Sequence, residues 1–309
     1  MDVSVVIPVY NEEENVELVF RKNKDVLDRM KLAYEIIFVD DGSKDKTFQN
    51  LCRIKDTHVK IIRFRRNFGQ TAAMDAGFKA AKGKIIISMD GDLQNDPEDI
   101  PRLIAKLKEG YDVVCGWRKD RKDSLLKHII SRGANVLRKV IINDHIHDSG
   151  CSLKAYKKEC FDDLDLYGEM HRFIPALLEW KGFKVTEMVV KHHPRKYGKS
   201  KYTMKRVLKG FLDMLVLKFW MQYSTRPIHL FGGLGVLTAF LGAATGIYLT
   251  IMKIFYGVPI GNRPLLLLAI LLVIVGSQFL IFGVLADILV KIYYKDNKNY
   301  SIERIVEQR

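Results

Sequence analysis

The sequence is poor in cysteine, and the four it has are scattered. Cys52, Cys115, Cys151 and Cys160 form no CxxC pair and show no metal-ligand spacing. A disulfide framework and a zinc–thiolate site are therefore excluded as organising devices. The N-terminus, Met1-Asp2-Val3-Ser4-Val5-Val6-Ile7-Pro8, lacks a basic leader, and its apolar stretch is too short for a signal peptide. The expectation is a main domain in the cytosol with reduced thiols. Internal repeats and low-complexity segments are absent as well.

Acidic residues are in deficit, 36 against 50 Lys and Arg, which leaves a formal charge of +14 over 309 residues. Most of the excess is local. Between residues 181 and 226 twelve Lys and Arg face only Glu187 and Asp213, a net +10. Such a belt beside an apolar run favours anionic headgroups by about 1 kcal/mol per residue near the surface, and it attracts a lipid phosphate. A plain solvated face is the competing reading of any charge run. Nucleic acid is not an expected partner, because the basic residues lack the interleaved aromatics of such surfaces.

Charge vanishes altogether from residues 227–252 and 264–286, which Arg263 and Asp287 flank. About 20 helical residues at ~1.5 Å rise cross a hydrocarbon core of ~30 Å, and both runs exceed that. A buried hairpin of a soluble protein is the weaker alternative, since two such runs adjoin. Lys205, Arg206, Lys209, Lys218 and Arg226 precede the first run, and Lys291, Lys295 and Lys298 follow the second. The positive-inside bias then predicts a two-pass protein of the cell membrane with both termini cytoplasmic. The expected organisation is a globular domain over 1–202, juxtamembrane amphipathic helices over 203–226, membrane helices over 227–252 and 264–290, and a tail over 291–309.

Within the globular part, β-rich runs at 2–9, 34–39, 59–63, 85–89 and 112–116 alternate with helical spacing over 13–30, 70–81 and 99–109. Alternation of this kind predicts an α/β, doubly wound sheet, whose ligands bind beyond the carboxyl ends of the strands. Residues 119–143 read as a basic helix. Residues 203–221 mix Lys and Arg with Val, Leu, Phe and Trp, as an interfacial amphipathic helix does.

The polar turns after the strands are where chemistry is expected. Pro8-Val9-Tyr10-Asn11-Glu12 offers a proline-fixed turn, a ring and a carboxylate to a base or ribose. Asp40-Asp41-Gly42-Ser43 sets two carboxylates in a glycine turn, where Asp often serves only the turn itself. Asp90-Gly91-Asp92-Leu93-Gln94 presents two carboxylates and an amide oxygen at the sheet's edge. Hard divalent cations prefer that oxygen set, and Mg²⁺ is typically held by one or two carboxylates plus waters and substrate phosphates. A DxD arises often by chance; its position after a strand gives it weight.

With Asn67-Phe68-Gly69-Gln70, these segments resemble, in order and spacing, the inverting family 2 glycosyltransferases with a GT-A (Rossmann-like) fold. More narrowly, nearly the whole chain is similar to polyisoprenyl-phosphate hexosyltransferases, such as dolichol-phosphate mannose synthase and the bacterial undecaprenyl-phosphate glucosyl and aminoarabinosyl transferases. The resemblance implies transfer of a hexose from a UDP- or GDP-sugar to dolichyl or undecaprenyl phosphate, with Mg²⁺ or Mn²⁺. It assigns Pro8, Tyr10, Glu12 and Asp41 to the nucleotide, Asp90 to the ribose, and Asp92 and Gln94 to the metal. Arg118, Lys127 and Ser131 fall where the family meets the acceptor phosphate, with Lys127 replacing an arginine.

Arg195-Lys196-Tyr197-Gly198-Lys199-Ser200-Lys201 resembles the family's RxxGxSK loop, in which Arg195 and Lys201 reach the donor diphosphate. Fixed cations there stabilise charge that develops in the transition state. Asp148 occupies the place of the catalytic base in relatives that act on hydroxyls. A phosphate monoester, with a second pKa of ~6, is already largely dianionic at neutral pH. Asp148 is thus either a base or the residue that orients acceptor-binding cations. Cys151-Ser152-Leu153-Lys154 stands where the family often has a large residue and an arginine. His171-Arg172 reads as architectural, and His192 and His193 lack partners at zinc spacing.

Two other functions compete. A processive polysaccharide synthase needs a Q/RxxRW signature, and none of Trp117, Trp180 and Trp220 follows an arginine. A catalytically silent membrane scaffold or sensor can keep the same fold. A homo-oligomer is compatible with the sequence, and neither the base nor the sugar is written in any motif.

Overall fold

Val3-Ser-Val-Val-Ile-Pro-Val is β-branched at five of seven positions, and strand β1 (Val3–Val9) is buried almost throughout, as a strand covered on both faces must be. The structure, a computed structural model, describes residues 1–119, 145–162, 164, 166, 168–194, 204–224, 226–261 and 264–296. Around β1 lie β2 (Tyr34–Asp40), β3 (Val59–Arg63), β4 (Ile85–Ser88), β5 (Val113–Trp117), β6 (Lys154–Lys157) and β7 (Val185–Val189), in the order β3-β2-β1-β4-β6-β5-β7. Strands β1 to β4 are mutually parallel, and β5 and β7 are parallel to each other.

Strand β6 departs from the parallel alternation. It lies between β4 and β5 and runs antiparallel to both, with Lys154 opposite Ser88 and Cys115. The reversal follows from connectivity. Strand β5 leaves at the edge where β1, β2 and β4 also end, and β6 enters from that same edge.

Helices α1 (Val16–Met30), α2 (Thr47–Arg53), α3 (Gln70–Ala80), α4 (Ile100–Lys108) and α5 (Ile174–Trp180) accompany the sheet. Helix α4 shows why such segments dock: Ile100, Leu103, Ile104 and Leu107 recur at helical spacing and are its buried residues. Helix α1 starts three residues later than its periodicity predicts. Glu13 is engaged in a turn instead, its carboxylate accepting from Lys46 N at 2.8 Å and its carbonyl from Asn50 Nδ2 at 2.9 Å. The basic helix expected over 119–143 lies, beyond Lys119, outside the described residues.

The chain divides into two compact units, 1–217 and 218–309. Helix α6 (Met204–Tyr223) runs across that division. The second unit holds α7 (Ile228–Tyr256) and α8 (Pro264–Asp296), both long and apolar enough to cross a membrane. They pack through small residues. A Cβ on Gly276 would stand 2.5 Å from Ala239 N, so the two backbones approach only because that atom is missing. Away from this seam the surface is hydrocarbon, with Phe240, Phe255 and Leu267 all exposed.

Candidate active site

Strands β1 and β2 end together, where Asp41 N donates to Val9 O at 2.9 Å. Pro8 sits in β1 beyond its pairing with β4, which covers only Val3–Val6, so its missing N–H leaves no gap on that side. The turns that follow are laced together. Asn11 N donates to Ser43 Oγ and Asn11 Oδ1 accepts from Lys44 N, both at 2.9 Å, while Glu12 N donates to Thr47 Oγ1 at 2.8 Å. Asn11 has φ 52°, a left-handed conformation that Asn tolerates better than most residues. Tyr10 and Glu12 thus stand on a turn braced against the loop after β2.

Asp41 is buried, and both its oxygens accept backbone hydrogen bonds, from Phe68 N at 2.7 Å and Gly69 N at 3.0 Å. The same turn needs Gly42: its φ is +68°, and a Cβ there would lie 2.4 Å from the Arg66 carbonyl carbon. The loop so held opens α3, whose first residue, Gln70, donates from Nε2 to Asp90 Oδ1 at 2.8 Å. Asp41, the 67–70 segment and Asp90, remote in sequence, therefore form one connected assembly.

Beyond β4, Asp92 is buried and its Oδ1 accepts from Gln94 N at 3.1 Å, while Leu93 between them is held at φ 64°. A left-handed branched residue is strained by about 1–2 kcal/mol, and such strain concentrates at functional loops. Burial, and then the neighbouring charge of Asp92, raise the Asp90 carboxyl above the usual carboxylate range. Two repelling carboxylates with an amide alongside suit a hard divalent cation, which would relieve that repulsion. Among the described residues no cluster of three His, Cys, Asp or Glu forms a complete protein cage. Mg²⁺ sites commonly lack one, taking waters and phosphates instead.

Gln94 also ties this motif to the segment after β7, accepting from His193 N at 2.9 Å with Nε2 lying 3.4 Å from His192 Nε2. His193 pairs with Asp96 at 3.1 Å. Burial works against ionisation of Asp96, but His193 and the Glu98 amide outweigh it and hold its carboxyl low.

On the other side of β4, Arg118 follows β5 and meets Asp148 in a two-pronged ion pair. Its Nε donates to Oδ2 at 2.7 Å and its Nη2 to Oδ1 at 2.9 Å. Both side chains are about nine-tenths buried, at 11% and 10% exposure, so the pair is screened little by water. Burial opposes the guanidinium charge, yet the Asp148 carboxylate outweighs it and raises the Arg118 pKa. Ser152 Oγ donates to Asn95 Oδ1 at 2.9 Å, which joins this loop to the Asp90–Gln94 turn. The Cys151 thiol is pushed up to about 11 and that of Cys160 to about 12 by burial, as inert packing thiols are.

The structure therefore brings Pro8, near the end of β1, and Tyr10, Glu12, Asp41, Asp90, Asp92, Gln94, Arg118 and Asp148, in the turns and loops beyond the strands, to one edge of the sheet. Lys127, Ser131, Arg195 and Lys201 lie outside the described residues. Sequence reasoning did not single out Asn95, the bridge between two loops, and it named Gln70 only within the Asn67–Gln70 motif, without a role for its amide. Asn95 directly follows the Asp90–Gln94 motif, and that adjacency was the available signal. His171, read as architectural, is buried with Nδ1 2.7 Å from Thr71 Oγ1.

Comparison with known proteins agrees with this geometry. The model of Glycosyl transferase family 2 matches residues 4–165. The dodecaprenyl-phosphate galacturonate synthase of Rhizobium johnstonii is 39% identical, with 100% of this chain and 94% of that protein covered. The undecaprenyl-phosphate 4-deoxy-4-formamido-L-arabinose transferase of Proteus mirabilis is 34% identical over 98% of this chain and 94% of its own length. Among solved structures, glucosyl-3-phosphoglycerate synthase from Mycobacterium tuberculosis in complex with Mn²⁺ and uridine-diphosphate-glucose superposes with a TM-score of 0.54. That match has 18% identity and covers 70% of this chain and 78% of the other, a likeness of fold. On motif, topology and whole-length similarity together, the chain belongs to glycosyl transferase family 2 and is a glycosyltransferase.

Proposed function

We propose that this glycosyltransferase moves a hexose or related sugar, with inversion, from a UDP- or GDP-sugar to the phosphate of a membrane polyprenyl lipid. One observation carries the reading. An acidic pair, half-buried Asp90 and buried Asp92, and a cation about nine-tenths buried, Arg118 forked by Asp148, stand at the same sheet edge, joined through Asn95 and Ser152. The acidic side suits a cation-bound diphosphate and the basic side an anionic acceptor. Relatives matched along their whole length are described as acting on dodecaprenyl and undecaprenyl phosphate, which supports the lipid acceptor.

In this reading Pro8, Tyr10, Glu12 and Asp41 form the nucleotide seat, and Asp90 lies toward the ribose. Asp92 and Gln94 would hold Mg²⁺ or Mn²⁺, which neutralises the charge of a departing diphosphate. Arg195 and Lys201 would add fixed positive charge at that diphosphate. Arg118, with Lys127 and Ser131, receives the acceptor phosphate, whose oxygen is dianionic enough to attack unaided. Both oxygens of Asp148 accept from Arg118, which supports orientation of that cation over proton abstraction. Residues 227–252 and 264–290 would cross the bilayer and leave both termini in the cytoplasm.

The test is transfer of radiolabel from a panel of UDP- and GDP-sugars to mixed polyprenyl phosphates by the purified full chain, with Mg²⁺ or with EDTA. Label in a mild-acid-labile lipid, lost with EDTA, is the expected result. Absence of labelled lipid from every donor, with the protein folded, overturns the proposal.

A further inference from the structure

We infer that Lys154 is a positioning residue for the acceptor-phosphate seat, acting through the loop that carries Asp148; this rests on the acceptor reading above. Lysine is almost never fully buried unless it is paired, yet Lys154 is 2% exposed. Its Nζ donates to Ser149 O at 3.1 Å and, among the described residues, makes no other side-chain hydrogen bond and no ion pair within 4.0 Å; the Asp90 charge acts on it only from farther off. An ammonium carries three donors. Burying one for a single backbone acceptor and the more distant Asp90 charge is unfavourable for folding alone, and a methionine would fill the same space without that cost.

The grip makes sense by what it holds. Ser149 lies next to Asp148, and Cys151 N closes the turn onto Asp148 O at 3.3 Å. Asp148 in turn forks Arg118 through both oxygens. Gly150 lies beside the same pair, where a Cβ would come within 3.4 Å of Arg118 Nη2 and 3.6 Å of Asp148 Oδ1. Lys154 itself is fixed in β6, paired across to Ser88 and Cys115, so the relay starts from the rigid sheet and ends on the guanidinium. Its burial denies it contact with substrate, which makes it a support for Arg118 and not a catalytic residue.

The experiment measures steady-state transfer by full-length Lys154→Met, Asp148→Asn and the double variant, with undecaprenyl phosphate and the best donor from the panel above. Supports of this kind are worth about 10–100-fold. The expected result is a rise of that order in KM for undecaprenyl phosphate, an unchanged KM for the sugar nucleotide, and little further loss when Lys154→Met is added to Asp148→Asn. Should Lys154→Met fail to fold by thermal unfolding, Lys154→Gln carries the same test. Equal shifts in both KM values, additive losses, or no change overturn the inference alone. A wild-type protein that labels no lipid from any donor overturns the acceptor reading and this inference with it.

Discussion

Residues 1–217 and 218–309 keep opposite things out of sight. The first unit hides Asp40, Asp41, Asp92, Asp99, Asp148 and Lys154, none more than 7% exposed. The second leaves Phe240, Leu267 and Phe255 at 66%, 71% and 77% exposure. A buried charge must find a specific partner, so the first unit is a set of particular hydrogen bonds. An exposed side chain in hydrocarbon needs no partner at all, so the second unit is specific only along the seam where Gly276 meets Ala239. Side chains are individually irreplaceable in one region and largely interchangeable in the other.

Substitutions can break that contrast, and the largest effect is expected at Asp92. Asp92→Ala should lower lipid-linked product formation by about 10³-fold, as loss of one preorganised electrostatic contact does. Circular dichroism should leave the fold unchanged. Next comes Arg118→Ala, which strands the buried Asp148 carboxylate and should destabilise the first unit by about 3–5 kcal/mol, read by chemical denaturation in detergent. In the second unit Phe240→Leu should be silent, whereas Phe240→Asp should weaken membrane insertion by about 2.5–3.5 kcal/mol if it lies near the bilayer centre. Carbonate extraction compares the two, and equal behaviour would erase the proposed difference between the regions.

The smallest effect is a gain. The raised Asp90 pKa means that its ionised form is disfavoured by folding. Its stabilising contribution is present below the unfolded value and is lost as pH rises through the folded one. Asp90→Asn should therefore unfold at a higher temperature than wild type at neutral pH, with the margin shrinking in acid, while transfer falls. A lower melting temperature at neutral pH would show that the carboxylate is stabilised by its surroundings after all.

The parallel half of the sheet was legible in the sequence because each of its strands is a short β-rich run closed by a polar turn. The spacing gives β3 at its observed bounds and β1, β2 and β4 to within a residue. Helix α2 and strand β6 escaped for physical reasons. Thr47–Arg53 has only Thr47 and Leu51 buried, too few for a periodic signal. Lys154-Ala-Tyr-Lys takes its place from neighbours on both sides, with little hydrophobic alternation of its own. The resemblance placed Arg118 at the acceptor phosphate and left Asp148 as either a base or an orienter of acceptor-binding cations, but their mutual fork crosses thirty positions and rests on burial, which no local pattern records.

Strand β6 also orders the assembly of the protein. Both neighbours of β5, namely β6 and β7, come later in the chain, so β5 has no strand to join when it is made. Strands β1 to β4 can pair among themselves as soon as residue 88 is present. During synthesis the strands that lead to Tyr10, Glu12 and Asp41 can thus be paired while the segment around Arg118 still waits. The ribosome must add residues 154–157 before β5 can be stitched to the rest, and the two sides of the sheet are born at different times.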